Sequence, residues 1–86
     1  MYNYTNDIKL PTVLRIDGYR FFFFSNEHTP EHIDIEKADM YARIELESLN
    51  VTDSYNLSSK DLKKLVNLVR KNKDKLKGEW DEYFKN

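Results

Sequence analysis

The stretch "TVLRIDGYRFFFF" (12–24) decides the fold. Asp17-Gly18 separates two β-rich runs, and Asp-Gly in that setting is the strongest short-range signal for a two-residue hairpin. Such a loop sets the register: Ile16 opposes Tyr19, Arg15 opposes Arg20, Leu14 opposes Phe21 and Val13 opposes Phe22. Opposed residues share a face of the sheet. One face then holds Thr12, Leu14, Ile16, Tyr19, Phe21 and Phe23 and reads as core. The other holds Val13, Arg15, Arg20, Phe22 and Phe24.

Downstream, "EHIDIEK" and "MYARIEL" flank Ala38-Asp39 as a second hairpin. Ile35 should meet Ala42 and Ile33 should meet Ile44 on the apolar side. On the reverse, Asp34 meets Arg43, His32 meets Glu45 and Glu36 meets Tyr41. A slip of one residue would bury those charges, so the pairing is strongly specified. Residues 49–57 can form a fifth strand or a loop.

Ser58 reads as an N-cap with Asp61 at the capping-box position. Leu62, Leu65, Val66, Val69, Leu76, Trp80, Tyr83 and Phe84 then follow at helical spacing. One helix over 59–84 would run roughly 39 Å at 1.5 Å per residue, too long for a domain of this size. A break is therefore expected at 72–74. The fold class is α+β: two antiparallel hairpins in one sheet of four strands, or five if 49–57 joins, covered on one face by two C-terminal helices. Residues 1–10 are expected as an extension, either a flexible arm or an edge strand, and 11–86 as one domain.

The 86 residues carry 40% hydrophobic side chains, enough for a single core. There is no cysteine, hence no disulfide, thiolate metal site or thiol nucleophile. No apolar run approaches a membrane span, and a cytoplasmic protein is the expectation. The net charge of −1 conceals a split. Residues 1–56 carry five Lys/Arg against ten Asp/Glu, and residues 57–86 carry nine against five. Within 60–77 there are eight basic residues and two acidic ones.

The combination of "GYRFFFF", the "SN" loop, "HIDIE" and the helical spacing Asn72, Leu76, Trp80 resembles the prokaryotic domain-of-unknown-function family numbered 4160. The resemblance runs over 11–84. Its members carry two alternating histidines where this chain has His32 and Asp34, and a proline where it has Glu31. The resemblance implies one half of a two-gene module in the manner of toxin–antitoxin pairs.

Three chemistries are open to the polar sheet face. His32 and Asp34, with Glu45 or His28, could supply nitrogen and oxygen metal ligands, but a cation at Arg43 opposite Asp34 favours an ion pair instead. No cofactor is expected. His32 with Tyr41 and Arg43 could serve a metal-independent ribonuclease. Arg15, Arg20, Phe22 and Phe24, with His32, Asp34, Glu36 and Arg43, form a candidate binding face. Opposed Arg15 and Arg20 require an anion, either a carboxylate such as Asp34 or Glu36 or a phosphate. Phe22 and Phe24 are either a stacking surface for single-stranded nucleic acid or a covered interface. The preferred expectation is a non-catalytic interaction protein whose partner is a neighbouring gene product or a second copy. Nucleic acid is the weaker alternative and a membrane is excluded. Burial of Phe22 and Phe24 inside one subunit would remove the stacking surface.

Overall fold

The computed structural model describes residues 8–26 and 29–85. Five antiparallel strands follow one another in space as in sequence: β1 (Leu14–Ile16), β2 (Tyr19–Phe22), β3 (His32–Lys37), β4 (Met40–Glu45) and β5 (Val51–Tyr55). Helices α1 (Ser59–Lys71) and α2 (Lys73–Phe84) complete the chain. The architecture is the expected α+β one, with 49–57 contributing the fifth strand.

Asp17 and Gly18 take φ of 53° and 81°, the left-handed values a tight hairpin needs. The register places Leu14 opposite Phe21, Arg15 opposite Arg20 and Ile16 opposite Tyr19. All six pairs of the second hairpin, His32–Glu45 to Lys37–Met40, are in register. The two hairpins join through Arg20–Glu36, Phe21–Ile35 and Phe22–Asp34.

One expected pair fails. Val13 does not oppose Phe22: its N–H reaches Phe21 O at 2.9 Å, and its side chain packs against the core. The chain bulges between Leu14 and Lys9, a stretch that includes Pro11, which has no N–H to give a ladder. Pairing resumes beyond it, with Leu10 N to Phe23 O at 2.9 Å, Ser25 N to Ile8 O at 2.8 Å and a bridge between Lys9 and Phe24. From Leu14 to Lys9 the chain takes five steps while its neighbour takes three, from Phe21 to Phe24. Residues 8–10 thus pair along the β2 side of the β1 edge; residues 1–7 of the expected extension lie outside the described residues.

The core lies between the sheet and the helices. Phe21, Phe23, Ile33, Ile35, Ile44 and Leu46 face Leu65, Val69, Leu76 and Trp80, all of them buried. Helix α1 starts on the expected capping box: Ser58 Oγ accepts from Asp61 N at 3.1 Å, and Ser58 N donates to Asp61 Oδ2 at 3.4 Å. The break falls at Asn72, whose φ and ψ of −112° and 17° leave the helical range. Its Nδ2 donates to Leu68 O at 2.8 Å, a side-chain bond that competes with helix continuation. Beyond the break, Trp80 and Phe84 meet Phe23 at centroid distances of 5.4 and 5.7 Å. Among the described residues no helix is long and apolar enough to cross a membrane.

Candidate functional site

The sheet face turned away from the helices carries the residues singled out from the sequence. β2, β3 and β4 bring them together as two adjacent polar clusters with buried aromatic rings.

Glu36 centres the first cluster. It accepts from Arg20 Nη1 at 2.8 Å and from Lys9 Nζ at 2.9 Å. Arg20 spends its other donors on Thr12 Oγ1 at 2.6 Å and Leu10 O at 2.7 Å, both in or beside the bulge. Burial works to raise the Glu36 pKa, but the hydrogen bonds and charges of Lys9 and Arg20 outweigh it and the net shift is downward. The anion required by the Arg15–Arg20 opposition is therefore the Glu36 carboxylate, acting on Arg20. Arg15 is exposed and has no carboxylate partner among the described residues.

Phe22 and Phe24 are 0% and 3% exposed, and their rings meet edge to face at 5.2 Å. The Arg20 guanidinium lies 4.4 Å and the Lys9 ammonium 5.6 Å from the Phe22 centroid. Cations stacked on the ring face satisfy its negative quadrupole and occupy the side a base would need. The exposed aromatic surface entertained from the sequence is thus not present; the rings are enclosed within the chain. Alternation along the strand predicts which face a ring joins, but it cannot show that the extension returns over that face.

Asp34 centres the second cluster and is fully buried. Its Oδ1 accepts from Arg43 Nε at 2.9 Å and from the Tyr41 hydroxyl at 2.5 Å. Arg43 is the direct cross-strand partner and Tyr41 the diagonal one. A buried carboxylate is tolerated only when paired and hydrogen-bonded in this manner. His32 is 7% exposed, and its Nδ1 stands 2.8 Å from Pro30 O. A carbonyl only accepts, so Nδ1 carries the proton and Nε2 faces Asp34 Oδ2 at 4.0 Å. The His32 ring also meets Trp80 at a centroid distance of 5.4 Å, linking the start of β3 to the helix layer. The sequence offered Trp80 only as a core residue.

The three ribonuclease candidates, His32, Tyr41 and Arg43, are thus brought together, but around a carboxylate. Tyr41 and Arg43 both point at Asp34, and an incoming phosphate would meet its negative charge. For a metal, His32 and Asp34 share the face, whereas Glu45 instead accepts from Ser48 Oγ at 2.6 Å. His28 lies outside the described residues. Among the described residues no group of three His, Asp or Glu side chains gathers to hold a metal ion.

Fold and face together define a small α+β domain with a helix-covered core and a second sheet face closed by ion pairs. The chain belongs to the family described as a domain of unknown function, DUF4160, whose model matches residues 18–81. The match begins inside the first hairpin turn and ends just past Trp80, so it takes in both polar clusters except Lys9 and Thr12. No curated protein and no solved structure matches the chain.

Proposed function

We propose that this protein is a non-catalytic interaction component of a prokaryotic toxin–antitoxin-like two-gene module, acting in the cytoplasm through contact with the product of the neighbouring gene. The observation that carries this reading is the contrast between the two candidate surfaces. On the polar sheet face, Phe22, Phe24 and Asp34 are buried, and the Asp34 and Glu36 carboxylates are paired with Arg43 and Arg20. At the other side of the sheet, β5 is an edge strand with Val51 and Tyr55 exposed. An unpaired strand edge is a ready template for another chain.

The rival, an RNA-directed enzyme centred on His32, draws on the convergence of His32, Tyr41 and Arg43, but Asp34 at their centre opposes an anionic substrate. Co-expression with the neighbouring gene product separates the two readings. The expected outcome is a complex that co-purifies through affinity capture of either chain, with growth effects unchanged by His32→Ala in a folded variant. Growth inhibition abolished by His32→Ala would replace this reading with the enzymatic one, and the absence of both complex and growth effect would remove the two-gene module.

A further inference from the structure

Helix α1 has two flanks with different fates. On one, Lys64 pairs with Asp17 in the β1–β2 turn at 3.2 Å and lies 5.9 Å from the Tyr19 ring. At 100° per residue, Leu62, Val66 and Arg70 project from the opposite flank. That flank is turned away from the β1–β2 turn, and β5 is the strand at the far edge of the sheet. There Ser59, Leu62, Lys63, Val66, Asn67 and Arg70 line a shallow recess of about 460 Å³. On β5, Val51 and Ser54 lie opposite Ile44 and Ala42 and so on the helix side of the sheet, and both are exposed.

The charge of this flank is uncompensated. The lysines of α2 have carboxylate partners: Lys73 and Lys77 share Glu47, and Lys75 lies 3.8 Å from Glu79. On α1, among the described residues, only Lys64 has one, whereas Lys63 and Arg70 at the recess do not. The recess thus combines apolar walls and unneutralised cations, and β5 leaves the sheet with an open edge.

We infer that β5 and the α1 flank together form a docking groove for an extended acidic segment of a partner protein. The segment adds as a sixth strand on β5, with carboxylates toward Lys63 and Arg70 and an apolar side chain over Leu62 and Val66. The inference rests on the interaction reading above and names the surface and the chemistry of the partner. A second copy is the less suitable occupant. A two-fold β5–β5 contact continues the sheet with helices on the same side, and would set two cationic α1 flanks against each other. Single-stranded nucleic acid is less suitable too, because no aromatic ring lines the recess for stacking.

The probe is a fluorescein-labelled peptide, Thr-Glu-Thr-Val-Thr-Glu-Thr, titrated by anisotropy against the full chain, with a Lys-for-Glu peptide and oligothymidine as comparisons. The acidic peptide should bind with salt-sensitive affinity and the basic one should not. Lys63→Glu/Arg70→Glu, with both sites exposed or half-exposed on a helix surface, should retain the native circular dichroism and weaken binding about tenfold or more. Amide shifts should cluster on β5 and along the Ser59–Arg70 flank of α1. No binding, equal binding of the basic peptide or oligothymidine, shifts confined elsewhere, or a sedimenting dimer joined at β5 would each overturn the assignment. A neighbouring gene product that co-purifies equally with the double variant would overturn the groove while leaving the interaction reading intact.

Discussion

Asp34 is the residue on which the polar face depends. Its fully buried carboxylate holds the half-buried Arg43 and Tyr41, and no water replaces it there cheaply. Asp34→Ala removes that acceptor and should lower stability by about 3–5 kcal/mol, read from the midpoint of urea denaturation. Adding Arg43→Met should recover part of the loss, because the uncompensated cation leaves with its partner. A loss below about 1 kcal/mol in the single variant would show that Asp34 does not hold the face together. The Asp34–Arg43 and Glu36–Tyr41 oppositions follow from hairpin register alone, and the sequence shows them directly. The partnership of Glu36 with Lys9, and the contact of His32 with Trp80, join residues 27 and 48 positions apart, for which no local pattern exists.

At the scale of the elements, local chemistry and tertiary context divide the work. The β1–β2 turn needs a left-handed residue at Gly18, where an added Cβ would also lie 3.0 Å from Lys37 Cε. Gly18→Ala should therefore cost roughly 1 kcal/mol, and a thermal melt that does not shift would contradict the turn assignment. Ser58→Ala, by removing the cap on α1, should cost about 1 kcal/mol without altering α2 (amide exchange resolves the two helices). Turns and caps were readable because each depends on residues within four or five positions, whereas the helix break was readable from the length that one unbroken helix would span. The bulge at Pro11 was harder. The sequence reading did not foresee it, and only the return of Lys9 to Phe24 shows that pairing resumes beyond Pro11.

Across the whole molecule, the acidic front half and basic back half meet at Glu47. Lys73 and Lys77 hydrogen-bond to it at 2.6 and 3.0 Å, clamping the start of α2 to the β4–β5 connection. These bonds and charges hold the Glu47 pKa down from 4.5 to about 2, and raise that of Lys77. A depressed folded pKa means stabilisation that is present above 4.5 and lost as pH falls toward about 2. Glu36, also shifted downward, adds in the same direction. Stability should therefore decline over that acid window. Glu47→Gln should flatten the decline, and salt should shrink the Glu47 share, since its carboxylate is solvent-exposed. An unchanged acid profile in the Gln variant would refute the clamp.

Sequence by itself determined the strand pairing within the two hairpins apart from Val13, the core face and the helix cap, because hydrophobic period, turn chemistry and capping act over a few residues. Tertiary structure alone decided that Phe22 and Phe24 are enclosed and that residues 8–10 extend the β1 edge. It also decided that the open surface lies along β5 and α1. Those outcomes depend on which distant segments come to lie against one another. A face that alternation marks as outward is solvent-exposed only if nothing folds back to cover it.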